Sequence, residues 1–406
     1  MTNLILNSAR AQFAPALQLA FIKGAAGPPK RPLPAGLTSA DLDIFQPGSP
    51  LFTPFALVSY GQFIASMGSP APGILSTRDR SATTIIGDSG GFQFISKPDL
   101  YQGKQTVLKA MGWLETNSDI AMTVDIPTRA IGSAAWPTFQ ACLTATLANL
   151  EVLSSARTPG RTRFLNVLQG RNWEECRVWY DAVKAYPFEG WAFGGGSREL
   201  PTMLRLLALM KQEGNLGGRF AHLHVLGTSS LSRAVQFTQI KRALREAGMA
   251  IEVTFDTATP SHYVKFGKII TGMNRPKFTA STARLPLSPT YSGSTLALPG
   301  RTFVTRHTQV SDLLGPSAPM AESALDALGA VLLVHHNIEQ QLQMMEEAGR
   351  LADIGSGLGE DIPAELHRSL LAVDKFLTWS SPLDASKHLN GLTFEPLETE
   401  DGGERS

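Results

Sequence analysis

Short apolar runs recur along the middle of this chain, each ending in a carboxylate, an amide or a cluster of glycines. Thr83-Thr-Ile-Ile-Gly runs into Asp88-Ser-Gly-Gly91, and Ile120-Ala-Met-Thr-Val runs into Asp125. Phe164-Leu-Asn-Val-Leu ends in Gln169-Gly170, and Gly190-Trp-Ala-Phe ends in Gly194-Gly-Gly-Ser197. His222-Leu-His-Val-Leu ends in Gly227-Thr-Ser-Ser230, and Ile251-Glu-Val-Thr-Phe ends in Asp256. Each run has strand length and suits a strand covered on both faces. Between them lie apolar residues at helical spacing. Val107, Leu108, Met111 and Leu114 mark 105–117; Phe139, Leu143, Leu147 and Leu150 follow Pro137; Cys176, Trp179 and Tyr180 follow Asn172; Leu204, Leu206, Leu207 and Leu209 follow Pro201; and 232–247 is amphipathic and basic. Strands alternating with helices build a parallel sheet, whose strand ends all meet on one face.

The fold class that follows is α/β: a (β/α)8 TIM barrel with insertions and a helical C-terminal region, its active site on the face where these strands end. One strand-end Asp is as readily a turn former or a helix cap; a set of them points to a site. Phe55-Ala-Leu-Val-Ser59 is the expected first barrel strand. Residues 1–50 read as an N-terminal extension with a proline-rich loop at 27–34, and 51–350 as the catalytic barrel. Residues 66–80 read as a loop over one face, 321–351 as a helix, and 351–406 as a helical and acidic tail ending in disorder from 398.

Composition narrows the setting. A chain of 406 residues with 43% hydrophobic and 17% charged residues is globular in make-up. Cys142 and Cys176 are the two cysteines, too few for a disulfide framework, so a reducing, cytoplasmic location is expected. The start lacks a secretory pattern and no run is apolar enough to span a membrane, so no membrane partner is expected. The net charge of +1 conceals a local asymmetry: 257–311 has no Asp or Glu, yet holds Lys265, Lys268, Arg275, Lys277, Arg284, Arg301 and Arg306. The segment is rich in Gly, Ser, Thr and Pro and reads as a loop-like basic insertion that meets an anionic partner, nucleic acid foremost. The bland reading is a solvated loop whose cations pair with acids elsewhere.

Asp88-Ser-Gly-Gly-Phe-Gln93 resembles the signature of the tRNA-guanine transglycosylases, which are (β/α)8 barrels. Further matches follow in order. Asp125 stands where the family has its base-recognising aspartate, and Val167-Leu-Gln-Gly170 resembles its Val-Gln-Gly segment. Ala192-Phe-Gly-Gly-Gly-Ser197 is similar to its Gly-Gly pocket loop, and Leu226-Gly-Thr-Ser229 to its Gly-Thr segment. Phe255-Asp256 with Pro260 resembles the motif holding the nucleophile, and His335-His-Asn-Ile338 resembles the late His-Asn-Leu motif. The matches span about 83–340. Two features depart from the pattern. The family's structural zinc needs three cysteines, and none follows Cys176, so the expected cofactor set is empty; His307, His335 and His336 read as ordinary histidines. Asp125-Ile-Pro-Thr128 also differs from the tRNA enzymes. Both departures are similar to the DNA-guanine transglycosylase branch, which inserts 7-deazaguanines into DNA.

The resemblance implies Asp256 as nucleophile and Asp88 as general acid and then base. It implies Asp125, Gln169, Gly170, Gly194 and Gly195 around the guanine edge, with Ser89 beside them and Phe92 stacking on the ring. Lys265, Lys268, Arg275 and Lys277 are expected on phosphates. Expected partners are DNA, with tRNA as the alternative polymer, a free 7-deazaguanine base, and a second copy in a homodimer. The rival readings are a zinc-less tRNA enzyme, a non-catalytic nucleic-acid binder, and a metal-dependent barrel hydrolase using the same aspartates.

Overall fold

The computed structural model describes residues 8–64, 73–315, 325–355, 362–390, 392 and 394. Its barrel strands are β1 (Gln12–Pro15), β2 (Phe55–Ser59), β3 (Thr84–Asp88), β4 (Ile120–Met122), β5 (Arg163–Leu168), β6 (Gly190–Phe193), β7 (His222–Val225) and β8 (Glu252–Thr257). They form one sheet of eight in the order β1-β8-β7-β6-β5-β4-β3-β2, with parallel pairing throughout. Ala16 bridges Leu57, and the Leu17 N–H donates to the Leu57 carbonyl at 2.9 Å, so the sheet nearly closes on itself. The expected (β/α)8 barrel is therefore present.

The helices α1 (Leu19–Gly24), α2 (Ile74–Thr77), α3 (Gly91–Ser96), α4 (Lys104–Asn117), α5 (Phe139–Ala156), α6 (Trp173–Val183), α7 (Leu200–Gln212) and α8 (Leu231–Glu246) follow β1 to β7 in chain order. Local chemistry starts several of them. Thr138 accepts from the Ala141 N–H ahead of α5, and Asn172 from the Glu175 N–H ahead of α6.

Two expectations need correction. The first barrel strand is β1, inside the segment read as an extension, and Phe55–Ser59 is the second. Four residues carry too little pattern to stand out; the exposed edge of β8 recruits them, setting Ala14 beside Asp256. The segment after β8 is also less loop-like than expected. It contains α9 (Thr259–Lys265), an antiparallel hairpin of β9 (Lys268–Asn274) and β10 (Thr279–Arg284), and α10 (Phe303–His307). Thr279-Ala-Ser-Thr-Ala-Arg284 has almost no apolar alternation, so pairing with β9 rather than burial makes it a strand.

The barrel's last helix is α11 (Ala327–Gly355), which packs between α8 and α1. It pins the insertion with consecutive side chains. The Ile270 N–H donates to Asn337 Oδ1 at 2.9 Å, and Asn337 Nδ2 donates to the Pro260 carbonyl at 3.0 Å. His336 Nε2 meets the Ile270 carbonyl and its Nδ1 meets Thr302 Oγ1, both at 2.7 Å. Helices α12 (Ala364–Lys375) and α13 (Pro382–Leu389) lie on the outer faces of α8 and α7, so the described part of the C-terminal region is helical and docked. The expected disordered end lies outside the described residues. No helix among the described residues is long and apolar enough to cross a membrane.

The strands bury both faces, as their sequences suggest, but against different partners. One face packs under the helices. The other fills the barrel interior with Ala14, Leu57, Ile86, Ile120, Met122, Leu165, Val167 and Ala192.

Candidate active site

Side chains alternate along a strand, so the interior set predicts which residues crown it. Two residues beyond Leu57, Ile86, Val167 and Ala192 stand Ser59, Asp88, Gln169 and Gly194. On β8 the inward series is Thr254, then Asp256. Asp88, Gln169, Gly194 and Asp256 were singled out from the sequence, Ser59 and Thr254 were not, and the alternation brings them to one barrel mouth.

Asp256 is 6% exposed. Its Oδ1 accepts from the Gly227 N–H at 2.9 Å and meets His224 Nε2 at 3.2 Å, while its carbonyl accepts from the Thr228 N–H at 2.7 Å. Behind it, Thr254 Oγ1 lies 2.8 Å from both His224 Nδ1 and His222 Nε2. Burial holds the His222 imidazole well below its usual range. Arg198 Nη1 donates to the carbonyls of Leu226 (2.9 Å) and Gly227 (2.8 Å), bracing the turn that supplies the Gly227 N–H. Sequence reasoning missed Arg198, His222, His224 and Thr254. Histidines inside a mostly apolar run look like strand filler; their i, i+2 spacing was visible, but the pairing of their strand with that of Asp256 was not.

Asp88 sits at the end of β3. Burial raises its carboxyl above the ordinary value, the Ser59 hydroxyl and the Gly90 N–H pull it down, and the Asp256 charge raises it again while His224 opposes. The Ser89 hydroxyl is buried and has no hydrogen-bond partner among the described residues. The turn after Asp88 demands its first glycine: Gly90 has φ +82, and a Cβ there would lie 2.7 Å from the Gly61 nitrogen. The Phe92 side chain lies outside the described residues, so the structure says nothing of its stacking.

Asp125 and Gln169 form a pair, Gln169 Nε2 donating to Asp125 Oδ2 at 2.9 Å, with both residues 5% exposed. Thr128 Oγ1 donates to Gln169 Oε1 at 3.4 Å, so the Ile-Pro-Thr segment that departs from the tRNA enzymes touches this pair. Gly195 has φ +52, and a Cβ there would lie 2.6 Å from Gln169 Oε1 and 3.0 Å from the Gly170 carbonyl. Gly194 stands as close: its Cβ would be 2.7 Å from Gln169 Nε2. However, the Gly194 N–H donates to the Leu168 carbonyl at 2.9 Å, so it is not the expected donor to a ligand. Gly170 packs on Cys176, where a Cβ would lie 2.6 Å from the Cys176 nitrogen.

The basic residues are spread over the insertion. Lys265 ends α9 and is exposed, and Lys277 is exposed in the hairpin turn. Lys268 Nζ lies 5.7 Å from the Tyr263 ring centre. Arg275 forms an ion pair with Glu347 at 2.6 Å. For Arg275 the bland reading, pairing with an acid elsewhere, therefore holds.

The family's structural zinc does not fit these residues. Cys142 and Cys176 are buried in α5 and α6, and both ring nitrogens of His336 are engaged by Thr302 and the Ile270 carbonyl. No group of three His, Cys, Asp or Glu able to hold a metal occurs among the described residues. A scan against protein-family models finds no match to this chain, and a search of curated proteins finds none either.

Proposed function

We propose that this protein exchanges guanine in DNA for a free 7-deazaguanine base, as a transglycosylase working through a covalent enzyme intermediate. The observation that carries this is the division of labour at the barrel mouth. Asp256 has one carboxylate oxygen held by donors, and Asp88 at the same barrel mouth has its carboxyl raised above the ordinary value, burial being the main cause. A nucleophilic carboxylate paired with a protonated acid is what glycosidic displacement requires.

The steps balance as follows. Asp256 attacks C1′ of the target nucleotide while the bond from C1′ to guanine N9 breaks. The bonding pair goes to the base, and the Asp88 proton passes to it. The base leaves as neutral guanine, and the sugar is held as an ester on Asp256. The incoming 7-deazaguanine then loses its N9 proton to Asp88, attacks C1′ and releases the Asp256 carboxylate. The target nucleotide reaches the site single-stranded or flipped out of its duplex.

Asp125 and Gln169 supply recognition. Their shared hydrogen bond opens to take the guanine edge, Asp125 accepting from N1–H and the exocyclic amine, and Gln169 donating to O6. Gly195 leaves room for the base. The Ser89 hydroxyl, buried without a partner, is a further group for a ligand to satisfy. Lys265, Lys268 and Lys277 hold the polymer's phosphates.

Uptake of labelled guanine into single-stranded DNA, duplex DNA and bulk tRNA tests the proposal. Label entering DNA in wild type, and none in Asp256→Ala, is the expected result. Label entering tRNA alone would keep the chemistry and replace the polymer, and exchange persisting in Asp256→Ala would remove the nucleophile assignment.

A further inference from the structure

The barrel interior carries one polar column. His222 and His224 on β7 and Thr254 and Asp256 on β8 face inward, with His224 paired in register with Thr254. Their exposures are 2%, 0%, 0% and 6%. The neighbouring interior positions are alanine, valine, leucine, isoleucine and methionine, so apolar side chains suit this space. Burying two imidazoles and a hydroxyl instead is costly unless every polar atom is used.

Their hydrogen bonds have a direction. The Asp256 carboxylate only accepts, so the proton of the contact at 3.2 Å resides on His224 Nε2. The Thr254 hydroxyl lies 2.8 Å from His224 Nδ1 and donates to it when that nitrogen carries no proton. Having given its one proton, Thr254 Oγ1 accepts from His222 Nε2–H at 2.8 Å. The other acceptor near Thr254, the Leu223 carbonyl, is farther away at 3.4 Å. The array runs His222 to Thr254 to His224 to Asp256, and at its end Asp256 Oδ1 also receives the Gly227 N–H.

Resting on the transglycosylase reading, we infer that His224 is the positioning residue for the nucleophile: it and Gly227 hold Oδ1, so that Oδ2 attacks C1′, while Thr254 and His222 hold the imidazole in the tautomer this needs. When the ester forms, Oδ2 becomes its bridging oxygen and Oδ1 its carbonyl oxygen. The same two N–H groups remain on Oδ1 and stabilise the negative charge that returns when the incoming base displaces the carboxylate.

The test combines the free protein with its turnover. Nitrogen NMR of the labelled wild-type protein is expected to show neutral His224 protonated on Nε2; an Nδ1-protonated His224 would overturn the inference without reference to activity. In the base-exchange assay, His224→Phe is expected to lower kcat about a hundredfold while KM for the polymer changes less than about threefold. Thr254→Val, nearly the same shape, is expected to lower kcat about tenfold, and Thr254→Ser, which restores the hydroxyl, to return it to within about twofold of wild type. If His224→Phe fails to fold, the threonine pair decides. Unchanged kcat in Thr254→Val overturns the inference while the transglycosylase reading stands. A wild-type protein with the Nε2 tautomer but no exchange on any polymer overturns that reading, and the positioning role with it.

Discussion

Asp88 and Asp256 are the same residue type at one barrel mouth, and their surroundings differ. Asp256 Oδ1 receives two donors. The Asp88 carboxyl is raised chiefly by burial, with the Ser59 hydroxyl and the Gly90 N–H opposing and the Asp256 charge adding to it. The sign has a thermodynamic consequence. A carboxyl raised in the folded state contributes stability below its ordinary value of 3.8 and loses it as pH rises through the raised value. At pH 7 Asp88 therefore costs stability. Asp88→Asn is expected to melt at a higher temperature than wild type at pH 7, with the gap narrowing as pH falls, and to lose base exchange. Thermal melts over a pH series check this; a lower melting temperature at pH 7 would contradict the buried-acid account. At this scale the three aspartates and Gln169 were legible in the sequence, because each ends a strand-sized run. The histidine column was not, because hydrogen bonds between β7 and β8 exist only once those strands are paired.

The insertion is held to the barrel by side chains of α11. Asn337 satisfies the Ile270 N–H and the Pro260 carbonyl, and Glu339 accepts from the Phe303 N–H at the start of α10. Asn337→Leu removes both of these hydrogen bonds and the side-chain partner of the Ile270 N–H, and is expected to cost roughly 1–3 kcal/mol, measured by urea unfolding. Faster hydrogen exchange at the Ile270 amide is expected with it; an unchanged amide would mean that β9 is held by other contacts. His336 stands where the resemblance implies a zinc ligand, and here it ties Thr302 to β9 instead. Helices with 3.6-residue periodicity, α4 to α8, were legible. The strands β1, β9 and β10 were not: one is four residues long, and β10 is polar enough that only its partner makes it a strand.

Across the whole molecule, a net charge of +1 coexists with an acid-free insertion of 55 residues, 257–311, attached directly behind the strand that carries Asp256. Under the proposed function this segment meets a polyanion, and such binding is salt-dependent. Raising salt from about 50 to 200 mM is expected to raise KM for the polymer, and Lys265→Ala or Lys277→Ala to lower the slope of log KM against log salt by about one each. Arg275→Ala is expected to change it less, since Glu347 already occupies that guanidinium. Slopes equal to wild type in both lysine variants would remove the insertion from the binding surface. The order of elements, the alternation that makes a parallel barrel, and the carboxylates at its mouth were determined by the chain itself, because apolar spacing and turn residues act between near neighbours. What only the tertiary structure decided depends on partners distant in sequence. Closing the barrel needed the edges of β8 and β2 to capture β1. Seating the eighth helix needed α11 to reach past the insertion. Orienting Asp256 needed a threonine and two histidines whose spacing means nothing until two strands lie side by side.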